Sequence, residues 1–183
     1  MTIREKAAVA RMFEIAWAEA LERHSGQKYG PHDYSFHLQM VVDRIRSVYG
    51  DDELELAAGA LHDTIEDTGA TRNYLAGKYG ADLATLVWAV SADPTKVVRR
   101  DKQKSIVDKL ATLPDHLRIR GIDLKLSDRN ANMRASIDSG QFGLLTMYQK
   151  ERGLYEPYSD KGIRICSMNF SSVAPSSTRG RPV

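Results

Sequence analysis

Apolar side chains recur at three- and four-residue steps along most of the chain, which is the spacing of one face of an α-helix. Two glycines and a proline interrupt this pattern between Gly26 and Tyr34 and predict a loop there. A second apolar stripe runs from Phe36 to Val48 and predicts a helix that ends at Gly50. The stripe of the opening helix consists of Val9, Met12, Phe13, Ala16, Trp17, Ala20 and Leu21.

Beyond this point the pattern predicts further helices joined by short connections. Asp51 is the expected N-cap of a third helix, rich in alanine and leucine, that runs to about Asp67. Thr71 is expected to cap a short helix that Gly80 closes. The remaining helices are predicted over residues 83–90, 97–110, 117–139 and 144–155. Strand signals are nearly absent, so we predict an all-α fold, a helical bundle in a single domain.

Length, composition and charge narrow the class of protein. The chain has 183 residues, 42% apolar and 27% charged, which is typical of one globular domain. We assign residues 1–157 to this domain and residues 158–183 to a flexible C-terminal tail, because the end of the chain is rich in Ser, Pro and Arg. The net charge of +2 gives no global field for nucleic acid, and no run approaches the about 18 apolar residues of a membrane span. We therefore expect a soluble, cytoplasmic protein without nucleic-acid or membrane partners, and we leave its oligomeric state open.

The densest group of ionisable residues lies at the end of the third predicted helix, as His62-Asp63 and Glu66-Asp67. The four-residue spacing puts His62 with Glu66, and Asp63 with Asp67, on the same side of successive turns. Such side chains are costly to bury unless something compensates their charge, and a divalent cation is the usual compensation. The alternative is an exposed helix end whose acids are merely solvated.

Two residues elsewhere in the chain can complete a metal site. His37 lies on the second predicted helix, where the alternative is a satisfied core histidine. Asp128 lies in an amphipathic stretch, where the alternative is a surface acid paired with Arg129 or Arg134. Two imidazoles and two carboxylates suit manganese, iron or zinc, with positions left open for water and substrate.

These residues resemble the H…HD…D signature of HD-domain phosphohydrolases. The segments LHDTIEDT, at 61–68, and KLSDRNANMR, at 125–134, are similar to the hydrolase domain of RelA/SpoT proteins. In size the chain resembles the stand-alone small alarmone hydrolases, metazoan members included, and the resemblance covers about residues 5–155. It implies an HD-domain bundle that binds one divalent metal ion, typically manganese. The implied metal ligands are His37, His62, Asp63 and Asp128.

The resemblance also implies a reaction and a substrate. Glu66 and Asp67 match the family's acidic pair, which positions and deprotonates the attacking water. The reaction would release pyrophosphate from the 3′ position of (p)ppGpp and leave GDP or GTP. Asn132 matches an asparagine that contacts the nucleoside, and Tyr148 roughly matches a tyrosine of the same pocket. Lys28 is the only permanent cation of a loop that is longer and more basic in the family, so adenine alarmones such as (p)ppApp stay open as substrates.

Two other functions are compatible with the sequence. The short loop is also compatible with an HD-domain phosphohydrolase that acts on dNTPs or another nucleotide. A catalytically silent HD module that binds nucleotides or a protein partner would be expected to lack a ligand or the water-activating acid, and neither is missing here. Phosphate contacts could come from Lys125, Arg129 or Arg134, or from the charged run of Arg99, Arg100, Lys102 and Lys104. For that run, a solvated helix face is the favoured interpretation.

Overall fold

Helices make up nearly all of the regular structure in the part of the chain that the computed structural model describes, residues 12–155. The prediction for the tail at 158–183 lies outside the described residues. The elements are α1 (Met12–Arg23), β1 (Lys28–Tyr29), β2 (His32–Asp33), α2 (Ser35–Tyr49), α3 (Glu53–Leu61), α4 (Thr64–Asp67), α5 (Arg72–Tyr79), α6 (Ala81–Val90), α7 (Arg99–Ala111), α8 (Asp115–Asp138) and α9 (Phe142–Arg152). The predicted all-α fold is confirmed. The segment expected to be a loop contains a small antiparallel hairpin, in which Lys28 lies opposite Asp33.

The centre of the bundle is formed by α3, which packs against α1, α2 and α6, and by α8, which packs against α2, α6 and α9. Small residues in α3 permit a close approach to α2. A methyl group added at Gly59 would lie 2.6 Å from Cδ1 of Ile45, a fully buried side chain of α2. This close contact brings the end of α3 beside α2, the helix that carries His37.

The third helix is shorter than predicted, and its N-cap was misplaced by one residue. Asp52, not Asp51, caps α3 by accepting a hydrogen bond from the amide of Glu55 at 3.1 Å. The helix ends at Leu61 instead of continuing to Asp67, and a separate short helix, α4, begins at Thr64.

Side chains explain why the helix can end there. Nδ1 of His62 donates to the carbonyl of Gly59 at 2.8 Å, and the hydroxyl of Thr64 donates to the carbonyl of Leu61 at 2.7 Å. The carbonyl groups at a helix end need such partners when they are buried. The break therefore uses His62 to close α3 and leaves its other ring nitrogen for a second contact.

The later boundaries agree closely with the pattern. Thr71 caps α5 by accepting from the amide of Tyr74, and Gly80 follows the helix with a φ of +94°, a conformation that favours glycine. Helix α8 is buried on all sides between residues 121 and 131, so several of its charged side chains lie inside the protein. None of the helices within the described range is long and apolar enough to cross a membrane.

Candidate metal centre and adjoining cavities

Four side chains from three parts of the fold converge on one buried point. His37 comes from the first turn of α2, His62 and Asp63 from the break between α3 and α4, and Asp128 from the buried part of α8. The two Nε2 atoms of the histidines lie 3.2 Å apart. Oδ2 of Asp63 lies 2.9 Å from Nε2 of His62 and 3.4 Å from Nε2 of His37. Oδ1 of Asp128 lies 3.6 Å from Nε2 of His37.

This donor set fits a divalent cation. One ligand atom from each of His37, His62 and Asp63 lies within 4.8 Å of the others. Because Nδ1 of His62 donates to a backbone carbonyl, Nε2 is the ring nitrogen that faces the cluster, the arrangement of a metal-ligating histidine. Burial raises the pKa of Asp63, but the opposing effect of the imidazoles of His62 and His37 is larger. The pKa of Asp63 therefore lies well below its usual range. The cluster thus combines imidazole nitrogens with an anionic carboxylate.

Asp128 is held as an anion by three neighbours on its own helix. Nζ of Lys125 lies 2.9 Å, and Nη2 of Arg129 3.1 Å, from Oδ2 of Asp128. Nδ2 of Asn132 donates to Oδ1 at 2.5 Å. Burial raises the pKa of Asp128, but Arg129 and Lys125 outweigh it and lower the pKa well below the usual range. Asp128 is therefore a buried acid, whereas Arg134, the alternative partner, pairs with Asp138 on the surface.

Tyr34 links this cluster to the acidic pair. Its hydroxyl lies 2.6 Å from Oδ2 of Asp63 and 3.1 Å from Oδ2 of Asp67. Burial and the neighbouring carboxylates raise the pKa of Tyr34, which keeps the phenol protonated as a donor. Burial, together with the charge of Asp63, raises the pKa of Asp67. Tyr34 was not predicted from the sequence, although it stands one helical turn before His37.

Glu66 lies at the edge of the site and is held by the backbone. Its Oε2 accepts a hydrogen bond from the amide of Ala92, after the end of α6, at 3.0 Å. Glu66 and Asp67 line a polar cavity of about 170 Å³ together with Asp63 and Asp128. The structure thus brings the acidic pair and three of the metal-ligand candidates, His37, Asp63 and Asp128, to one cavity, although not on one continuous helix. His62 does not line this cavity but contacts His37 and Asp63.

A larger cavity of about 500 Å³ adjoins the polar one. Tyr29 and Tyr148 line both. The ring of Tyr29 stacks on His37 with centroids 4.8 Å apart, and its hydroxyl donates to Oδ1 of Asn132 at 2.9 Å. His32 and Phe36, stacked on each other at 4.2 Å, form part of the wall of the larger cavity. An apolar, aromatic compartment therefore lies next to a charged one.

Of the three residues expected to bind substrate, two line a cavity and one does not. Asn132 and Tyr148 line the polar cavity. Lys28 does not line either cavity; its ammonium pairs with Oδ1 of Asp33 at 2.5 Å on the exposed hairpin. The neighbouring Tyr29 reaches the site instead, because adjacent residues of a strand point to opposite sides.

The charged run at 99–104 is not uniformly a solvated face. Arg100 and Lys104 are exposed, as expected, but Arg99 lines the polar cavity. Its guanidinium contacts Glu151, a buried residue of α9 that belongs to none of the sequence motifs described above. A pairing between residues 52 positions apart has no local signal in the sequence.

In sequence, the chain is similar to one region of larger proteins. No model of a protein family matches it. It is 36% identical over 121 residues to the guanosine-3′,5′-bis(diphosphate) 3′-pyrophosphohydrolase of Haemophilus influenzae, covering 63% of this chain and 17% of that protein. It is 29% identical over 155 residues to the GTP pyrophosphokinase rsh of Brucella ovis, covering 80% of this chain and 20% of that protein. The chain thus spans a fifth or less of the length of these curated relatives.

A solved structure shares the fold. It is described as a metazoan orthologue of SpoT that hydrolyses ppGpp and plays a role in starvation responses. The TM-score is 0.66 at 21% identity, with 84% of this chain and 91% of that chain covered. The chain is thus similar in sequence to one region of RelA/SpoT-type proteins and shares its fold with the metazoan SpoT orthologue.

Proposed function

We propose that this protein is a metal-dependent pyrophosphohydrolase that removes the 3′ pyrophosphoryl group of guanosine alarmones, (p)ppGpp. The observation that carries the proposal is the convergence of His37, His62, Asp63 and Asp128 beside an acidic pair, next to a cavity that cationic side chains also line. The names of the Haemophilus influenzae relative and of the metazoan structure support this substrate class.

In this proposal the four converging residues hold one divalent cation, which we expect to be manganese. Two imidazole nitrogens and two carboxylates form a donor set compatible with manganese, iron or zinc. A cation bound there would lower the pKa of water and neutralise charge on the phosphoryl group. Lys125 and Arg129 orient Asp128 through its second oxygen, and Gly59 orients His62 through Nδ1.

The acidic pair then supplies the proton acceptor. Glu66 and Asp67 would position the attacking water, and one of them would take its proton as the oxygen attacks phosphorus. Tyr34 donates to Asp67 and limits that carboxylate to a defined orientation. The bond that breaks joins phosphorus to the 3′ oxygen, which takes a proton and leaves as a hydroxyl group. The products are inorganic pyrophosphate and GDP or GTP.

The adjoining cavity of about 500 Å³ suits the nucleoside. Aromatic rings of Tyr29, His32 and Phe36 offer stacking surfaces for a purine, and Asn132 lines the polar cavity while it accepts a hydrogen bond from the hydroxyl of Tyr29. Stacking alone accepts adenine as well as guanine, so we include (p)ppApp as a second substrate. Tyr148 would contribute to binding from the wall that both cavities share, and Lys28, which lines neither cavity, from the exposed hairpin.

The second candidate is an HD-domain phosphohydrolase that acts on dNTPs at the 5′ phosphates. The position of Lys28 favours it, since the hairpin directs no permanent cation into either cavity. The deciding experiment is a manganese-supplemented assay of the full chain with ppGpp, pppGpp, ppApp, pppApp and the four dNTPs, with products separated by anion exchange. Pyrophosphate together with GDP, GTP, ADP or ATP supports 3′ hydrolysis. Turnover of dNTPs alone would move the protein to the second candidate.

A further inference from the structure

A buried carboxylate on α9 joins two arginines that line the polar cavity. Glu151, only 7% exposed, accepts from Nε of Arg99 at 2.5 Å and from Nη2 of Arg99 at 3.0 Å. It also accepts from Nη1 of Arg129 at 2.9 Å. The guanidinium carbons of Arg99 and Arg129 lie 5.5 and 5.3 Å from the ring centroid of Tyr148. Three helices thus meet at one ion-paired group.

The two arginines differ in the donors they have left for a ligand. Arg129 is buried and directs Nη1 to Glu151 and Nη2 to Asp128, so both of its outer nitrogens face carboxylates of the protein. Arg99 directs Nε and Nη2 to Glu151, which leaves Nη1 facing elsewhere, and 49% of its side chain is exposed. Since Arg99 lines the cavity, its remaining edge is available to an anion there.

The side chains before Arg99 give that residue little support. Val97 is 90% exposed and Val98 60% exposed, so neither side chain anchors the start of α7. The two-point contact with Glu151 is therefore what fixes the direction of the Arg99 guanidinium. A guanidinium fork that is already oriented loses less side-chain entropy on binding a phosphate.

We propose that Arg99 binds the pyrophosphoryl group of the substrate and that Glu151 is the positioning residue that holds Arg99 toward it. This inference rests on the function proposed above, since it takes the polar cavity as the site of the 3′ pyrophosphate. Two further residues help to hold Arg99 and Glu151 in place. Arg129 also donates to Glu151, and the ring of Tyr148 lies beside both guanidinium groups.

The charge of Glu151 makes the proposal distinguishable from simple electrostatics. Replacing Glu151 with Gln removes a negative charge close to the cavity, and that change alone would strengthen the binding of an anion. If Glu151 instead acts by orienting Arg99, the same replacement weakens binding, because the fork is lost. The two views predict opposite signs for one variant.

The experiment titrates inorganic pyrophosphate calorimetrically into the full chain in the presence of manganese, so that the readout does not require turnover. We expect Glu151→Gln and Arg99→Lys each to weaken pyrophosphate binding about tenfold, the value of one hydrogen bond to a charged group. Arg99→Lys keeps the charge but cannot form the fork. Arg100→Gln, an exposed residue next in the chain, is the matched control and should leave the affinity within about twofold.

Circular dichroism melting curves show whether each variant is folded. If Glu151→Gln does not fold, Arg99→Lys decides the question, since Glu151 keeps Arg129 as a partner there. Unchanged or tighter pyrophosphate binding by either folded variant, or no binding by the unmodified chain, would overturn the inference. If the variants weaken pyrophosphate binding as expected but no nucleotide is hydrolysed, this inference is supported and the proposed reaction is refuted. If nucleotide is hydrolysed but the variants bind pyrophosphate normally, the proposed reaction is supported and this inference is refuted.

Discussion

The side chain of Glu55 should make the stability of this protein fall as pH rises through the neutral range. Glu55 lies on α3 with no exposed surface, and its Oε1 accepts from Nη1 of Arg120 at 2.9 Å. Its Oε2 has no hydrogen-bond partner among the described residues. Burial raises the pKa of Glu55 to about 7, although the charge of Arg120 opposes the change.

The direction in which stability changes with pH depends on whether the folded or the unfolded state holds the proton of Glu55. Between the ordinary pKa of 4.5 and the folded value of about 7, the folded protein binds a proton that the unfolded chain has released. The contribution of Glu55 to stability is therefore complete below pH 4.5 and is lost as pH rises through 7. At about 1.4 kcal/mol per pKa unit, the full loss is about 3 kcal/mol.

The variant Glu55→Gln keeps the size of the side chain and removes its titration. We expect the free energy of unfolding of the variant, relative to the unmodified protein, to increase by about 3 kcal/mol between pH 4.5 and 8. Urea denaturation followed by circular dichroism at several pH values measures this difference. Glu22→Gln, at an exposed position of α1, is the control. Parallel curves of unfolding free energy against pH for Glu55→Gln and the unmodified chain would refute the reasoning.

Three further predictions concern the site and the packing around it. Glu66→Gln should keep its metal content, measured by elemental analysis, but lose about 10²–10⁴-fold in kcat, whereas Asp63→Ala should lose both; wild-type turnover by Glu66→Gln would remove the acidic pair from the mechanism. A chelator should abolish hydrolysis and added manganese restore it, and activity indifferent to both would contradict the metal assignment. In Gly59→Ala the new methyl group would lie 2.6 Å from Ile45, whereas in Gly77→Ala it would meet nothing within 4 Å. Because overpacking costs about 1–3 kcal/mol, the free energy of unfolding in urea should be at least 1 kcal/mol lower for Gly59→Ala than for Gly77→Ala. Equal stability of these two glycine variants would show that Ile45 and α2 can shift to admit the methyl group without loss of stability.

The predictions from the sequence succeeded where a signal is local. Apolar periodicity located the helices, and the caps at Thr71 and Gly80 follow from the chemistry of single residues. The break after Leu61 was missed because it depends on hydrogen bonds from His62 and Thr64 to carbonyls of the preceding turn. Those bonds compete with helix continuation only in the folded environment.

For the site, the sequence predicted which side chains would be candidates, and the structure places His37, His62, Asp63 and Asp128 together. Their roles as ligands remain a prediction. What the sequence could not supply is the second layer of contacts. Tyr34 and Glu151 act through partners that are distant along the chain, and neither stands in a pattern that distinguishes it from any other residue of its type.

The converging histidines and aspartates also act on the chain as a whole. His37 and His62 are 25 positions apart, and Asp128 lies on a third segment much further along the chain. A cation held by all three segments would be a crosslink that exists only in the folded state. Binding would then add to the free energy of unfolding, by about 2.7 kcal/mol at a concentration one hundred times the dissociation constant. The melting temperature of this protein should therefore report metal occupancy directly, without any substrate.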